Sequence, residues 1–399
     1  MATRHKSRSC LVLALACVAG ALGGCRRSAA LGPADSFLIV APVRDASGAT
    51  ARSPTGLDVV ELVEPNDPRA EPLHKALALG FAAEALRTDY LAKQLVREAQ
   101  AGGRRYGPAP IASAGEPTVF VVGGERAGGQ TPSRGLALRG SFGRADEHPE
   151  LLWIGLQAYP GNDRALPQTL AGSLALTAAA RVGDANGPAV LGPLARGYAQ
   201  AQEVIAREWR VGEGPEGALP ADAGTPRQRE LFAAVRENRY AVTAAGGPRP
   251  PAEQLTDPGL AATVLYRLAQ SKSVGRKVAP PEVYAPFVKD RVPPGVSPAA
   301  VLGPFRNFQA KLLSAWGRVV LEGKPPRDIA DLIEAYGRAL PAEKLEAVRV
   351  FVITTYGSTV KAGGVPPAAD KAGHALAELT ALAAEVAAGK LSAHAALGQ

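Results

Sequence analysis

The 399-residue chain is short of cysteine, histidine and aromatic residues, and each shortage removes a class of protein. Its three cysteines are Cys10, Cys17 and Cys25, so nothing beyond residue 25 can be stapled by a disulfide or held by a thiolate cluster. A chain of this length buries enough surface to fold without staples. His74, His148, His374 and His394 have no second histidine three to five positions away, so the spacing of a zinc finger or an H-E-x-x-H site is missing. There is no Gly-Lys-Ser/Thr phosphate loop. No block of five like charges occurs, which argues against nucleic acid as a partner. The apolar stretch from Cys10 to Leu22 falls short of the ~20 residues that a spanning helix needs.

What is present is the composition of a folded protein. Apolar residues make up 46% and charged residues 21%, while 44 Gly and 34 Pro stay below the roughly 25–30% that marks low-complexity chains. At about 150 residues per domain, the length suggests two domains. The formal charge is +8, and removal of a leader carrying Arg4, Lys6 and Arg8 leaves +5.

The N-terminus reads as a cationic segment (Arg4, His5, Lys6, Arg8), an apolar stretch, and then Leu22-Gly23-Gly24-Cys25. This resembles the lipobox of bacterial lipoproteins. The resemblance implies cleavage between Gly24 and Cys25, diacylation of the Cys25 sulfur and acylation of its new amine. Three acyl chains exceed the two signals that stable anchoring needs. By resemblance to the sorted lipoproteins of two-membrane bacteria, Arg26 rather than Asp after the cysteine implies the outer membrane, with the protein facing the periplasm or the cell surface. The alternatives are an ordinary secretory signal with an incidental cysteine, or an uncleaved anchor.

Residues 1–24 are thus expected as signal peptide and 25–36, small and polar, as a flexible tether. An α+β domain is expected over 37–211, with strands at 37–40, 57–63, 118–122, 136–142 and 151–157. Leu73, Leu77, Phe81, Leu86, Tyr90, Leu91 and Leu95 recur at helical spacing, and two further helices are expected at 167–182 and 189–211. The glycine-rich run Gly123 to Gly129 reads as a hairpin turn. A Pro/Gly-rich linker over 212–226 leads to an all-α domain, 227–399, with helices near 227–242, 253–272, 298–322, 327–340, 342–356 and 368–389. The stripe Val301, Phe305, Phe308, Leu312, Trp316, Val319 reads as core.

Ala171-Gly172-Ser173-Leu174-Ala175 has the small residues of a nucleophile elbow but sits inside a helical pattern. Asp58, Glu61, Glu64 and Asp67 cluster locally and read as a solvated edge. A long helix, three strands, a helix opening Leu166-Pro167-Gln168-Thr169-Leu170-Ala171 and a helix containing Pro193-Leu194-Ala195-Arg196-Gly197-Tyr198-Ala199 together resemble the catalytic half of gluzincin metallopeptidases. Over about 72–210, that resemblance places the family's metal-ligand and base positions on Gly172, Ser173 and Leu176, and its later glutamate on Arg196. Every metal position is missing, so zinc proteolysis is not available.

The expectation is an outer-membrane lipoprotein with an α+β domain, either generic or degenerate zincin-like, followed by an all-α domain, with a binding or scaffolding role and neither cofactor nor metal. The alternatives are an envelope hydrolase with an unrecognised site, or a metal-free pseudo-metallopeptidase. Its partners are the bilayer, through acylated Cys25, and other envelope proteins or anionic glycans. A patch of Arg267, Lys272, Arg276, Lys277, Lys289 and Arg291 could receive the anionic ones.

Overall fold

The computed structural model describes residues 37–64, 66–77, 85, 89, 92, 118–123, 133–140, 145–156, 166–183, 192–208, 224–275, 277, 298–357 and 376–398. The architecture is α+β. Among the described residues there are five strands: β1 Phe37–Pro42, β2 Val59–Leu62, β3 Thr118–Val122, β4 Ser133–Arg139 and β5 Ala145–Leu156. They close into a mixed barrel in the order β1-β2-β4-β5-β3. Strands β1/β2 and β4/β5 run antiparallel, whereas β1/β3, β2/β4 and β3/β5 run parallel. Because β3 and β4 are not neighbours, the glycine-rich segment between them does not join a hairpin, contrary to the sequence expectation; residues 124–132 themselves lie outside the described residues.

Side chains alternate across each strand. Val40, Val60, Val119, Val121, Leu136 and Trp153 come from all five strands and fill the barrel interior. Ala41, Phe120, Val122, Ile154 and Leu156 face outward and pack on Leu166, Leu170, Ala171 and Leu174 of helix α2, Leu166–Gly183, and on Leu73 and Ala76 of helix α1, Glu71–Leu77. Of the long helix expected from Leu73, α1 is its start. Ala85, Asp89 and Ala92 are helical, and Phe81, Leu86, Tyr90, Leu91 and Leu95 lie outside the described residues.

The helices that follow are α3 Pro193–Glu208, α4 Pro226–Glu237, α5 Pro251–Thr256, α6 Pro258–Gln270, α7 Pro298–Leu321, α8 Ile329–Ala339, α9 Lys344–Thr355, α10 Leu376–Ala387 and α11 Ala393–Leu397. The helix expected over 253–272 is two. Pro258 has no N–H to continue a ladder, and the Asp257 carboxylate accepts the Gly259 N–H at 2.7 Å to start α6 afresh. In α7, Phe308, Leu312, Trp316 and Val319 are buried, as the stripe predicts.

The expected division at 212–226 does not separate two cores. Ala175, Ala178, Ala179 and Val182 of α2 and Tyr198, Ala201, Val204 and Ile205 of α3 belong to the same apolar cluster as Leu231, Leu265, Leu312, Ile333, Phe351 and Leu379. The reason is that α2 has two apolar faces, one toward the barrel and one toward the helices. Between α3 and α6 the approach is so close that a Cβ on Gly197 would stand 2.5 Å from Ala261 Cβ and 2.7 Å from Pro258 O. Polar contacts fix the packing further. Lys311 Nζ, fully buried, donates to both Glu343 carboxylate oxygens and to the carbonyls of Val274 and Lys277, and Tyr336 OH donates to Glu343 at 2.6 Å. Buried Arg181 pairs with Asp89 at 3.0 Å, and Thr118 Oγ1 donates to that same carboxylate, tying the end of α2 to the start of β3. No helix among the described residues is long and apolar enough to cross a membrane.

Candidate functional site

Gly172, Ser173 and Leu176 all lie buried on α2. Gly172 faces α3: a Cβ there would stand 2.6 Å from both Cγ and Oε1 of Glu203. Arg196 is exposed at the start of α3, so it does not take part in that contact. The carboxylate opposite Gly172 is Glu203, two turns further along α3.

Glu203 is only 6% exposed, and its Oε2 accepts no hydrogen bond. The half-exposed Arg227 has its Nη1 3.8 Å from that oxygen. Loss of water outweighs this attraction and pushes the Glu203 carboxyl up to about 7. Gln168 Nε2 on α2 and Gln202 Nε2 on α3 are likewise buried without hydrogen-bond partners. The start of α4 adjoins this seam. Gln228 Nε2 donates to Thr169 Oγ1 at 3.0 Å, and Thr225 and Gln228 form a reciprocal capping box. Behind it the Arg207 guanidinium lies 4.7 Å from the centre of the Phe232 ring. The arrangement offers one acid that can hold or release a proton near neutral pH, without a nucleophile shown in contact with it.

A second site is the mouth of the barrel, a cavity of about 440 Å³. Its floor is Val60, Val121, Leu136 and Trp153, and its rim carries Asp45, Arg52 and Asp58. Arg52 pairs with Asp58 at 2.6 Å. The Ser47 hydroxyl and amide donate to Asp45 and hold its carboxyl below the usual range. Trp153 Nε1 is buried with no hydrogen-bond partner. An apolar floor beneath a charged rim suits binding of a small ligand.

No family model, curated protein or solved structure matches this chain.

The residues singled out in the sequence scatter across this framework. Gly24 and Cys25 lie outside the described residues, as do Arg276, Lys289 and Arg291 of the basic patch. Lys272 and Lys277 are exposed. Arg267 is buried on α6, within reach of Thr354 Oγ1 at 3.4 Å, and burial pushes its guanidinium down to about 10. It therefore leaves the proposed patch, because α6 is buried from Gly259 to Ala269, whereas exposed Lys272 and Lys277 come after its end. Asp58 stands at the barrel mouth, Glu61 lies 3.9 Å from Arg139, and Asp67 pairs with Arg69 at 2.6 Å. His148 is exposed, His374 lies outside the described residues, and His394 meets Asp328.

Sequence reasoning missed Glu203. The available signal was weak: it stands in Ala201-Gln202-Glu203-Val204-Ile205-Ala206, an acid in a helix with apolar or small residues on most faces.

Proposed function

We propose that the chain is a lipid-anchored protein of the outer membrane, held by acylated Cys25, and that it binds or scaffolds other envelope components. The observation that carries this reading is Leu22-Gly23-Gly24-Cys25 behind a short apolar stretch and a cationic start. The barrel mouth supports a binding role, since an apolar floor with a charged rim can select a ligand without reacting with it. The packing of α2 supports the same role, because Gly172 and Leu176 are spent on helix contacts. Exposed Lys272 and Lys277 add positive charge suited to an anionic envelope partner.

The test is attachment. The parent chain should incorporate labelled palmitate and partition into detergent, whereas Cys25→Ser should take up no label and stay unprocessed or soluble. Equal labelling of the two would end the lipoprotein reading. One observation favours a second reading, a hydrolase or metal-free pseudo-metallopeptidase: the buried Glu203 carboxyl, tuned to about 7, lies between the two helices that carry the gluzincin resemblance.

A further inference from the structure

We propose that Asp328, Asp331 and His394 form a divalent-metal site that fastens the C-terminal helix α11 to the start of α8. The three ligand atoms come together from opposite ends of a 67-residue stretch and lie within 4.8 Å of one another. His394 Nε2 is 3.0 Å from Asp328 Oδ2 and 3.7 Å from Asp331 Oδ1. Bonds of about 2.1 Å to a metal such as zinc set neighbouring ligand atoms roughly 3.0–3.4 Å apart, so both imidazole-to-carboxylate distances already lie within a few tenths of an ångström of that spacing.

Each carboxylate divides its work between its two oxygens. Asp328 caps α8 with Oδ1, which accepts the N–H groups of Ala330 at 3.0 Å and Asp331 at 3.1 Å, and it turns Oδ2 to the imidazole. Asp331 gives Oδ2 to the backbone N–H and Nε of Arg327, at 3.0 and 2.9 Å, and leaves Oδ1 with only a longer 3.3 Å contact from Arg327 Nη2. These outer contacts orient the ligating oxygens, as the partners around established metal centres do. On the other side, α11 is fixed before any metal arrives. Glu334 Oε1 accepts the Ala393 N–H at 2.7 Å, Ser392 Oγ accepts that of Ala395, and Tyr356 OH donates to Ala396 O. The imidazole is therefore held in place by backbone contacts it does not itself make.

The three side chains are 13–31% exposed, which shields the ion while leaving room for water to fill its remaining positions. One imidazole with two carboxylates is a donor set for a first-row divalent ion such as zinc. The histidine spacing gave no hint of this, because the two acids and the imidazole meet only through the docking of α11.

The test is calorimetric titration of Zn²⁺ into the intact chain, purified in detergent and stripped with EDTA. The parent should bind one equivalent saturably and melt at a higher temperature when loaded. His394→Ala and Asp331→Asn should each weaken binding at least tenfold and remove the shift, while His148→Ala, at an exposed histidine on β5, should bind as the parent does. An absence of saturable binding, or parent-like binding by His394→Ala, would overturn the proposal and leave the trio as a helix cap with a docking ion pair.

Discussion

Glu203 carries a linkage between protonation and stability whose sign is fixed. Its carboxyl titrates near 4.5 in the unfolded chain and about 7 in the folded one, so the native state holds the proton more tightly. That contribution is fully present below about pH 4.5 and is lost as pH rises through 7, amounting to about 3 kcal/mol between pH 4.5 and 8. Glu203→Gln cannot titrate. Relative to the parent, its stability by urea denaturation should therefore improve by about that amount as pH goes from 4.5 to 8; a difference that stays constant with pH would show that the carboxyl is not held neutral. Apart from its apolar and small neighbours, nothing near Glu203 in the sequence distinguishes it from the exposed Glu237 or Glu230, because burial here is created by Gly172 on another helix. Arg267 failed in the opposite direction, since a cation in a cluster of cations reads as surface until the helix beneath it is seen to be enclosed.

The secondary structure was largely readable because it follows local rules. The branched run Thr118 to Val122 is β3, and Pro193 and Pro298 open helices where a missing N–H costs nothing. Pro258 was equally readable as a helix start behind Asp257, but continuous apolar spacing masked it. Strand order was not readable: Phe37↔Thr118 is a parallel pairing of residues 81 apart, and only the closed barrel selects it. Helix packing likewise depends on which small residues meet. At Gly197 the obstacles include the backbone oxygen of Pro258, which cannot swing aside, so Gly197→Ala should cost about 1–3 kcal/mol despite the better helix propensity of alanine. Chemical denaturation measures that cost, and a Gly197→Ala variant as stable as the parent would show that the seam between α3 and α6 has room for a methyl group.

Because α2 and α3 share their core with α4 to α11, the chain beyond residue 224 is not expected to fold alone. A fragment spanning 227–399 would uncover the faces that receive Gly197 and Tyr198, including the Tyr198–Gln309 hydrogen bond of 2.6 Å and the edge-on Tyr198–Trp316 contact. It should bind a hydrophobic dye and lack a cooperative thermal transition by circular dichroism; a sharp transition would restore the two-core division. The sequence suggested that division because 212–226 is rich in Pro and Gly, yet composition reports where the chain can bend and says nothing about which surfaces it later brings together.

Ring closure of the five strands has a consequence for association between copies of the chain. Where the ring is closed each strand has a neighbour on both sides, so that part of the barrel offers no open edge along which two copies could zip together strand to strand.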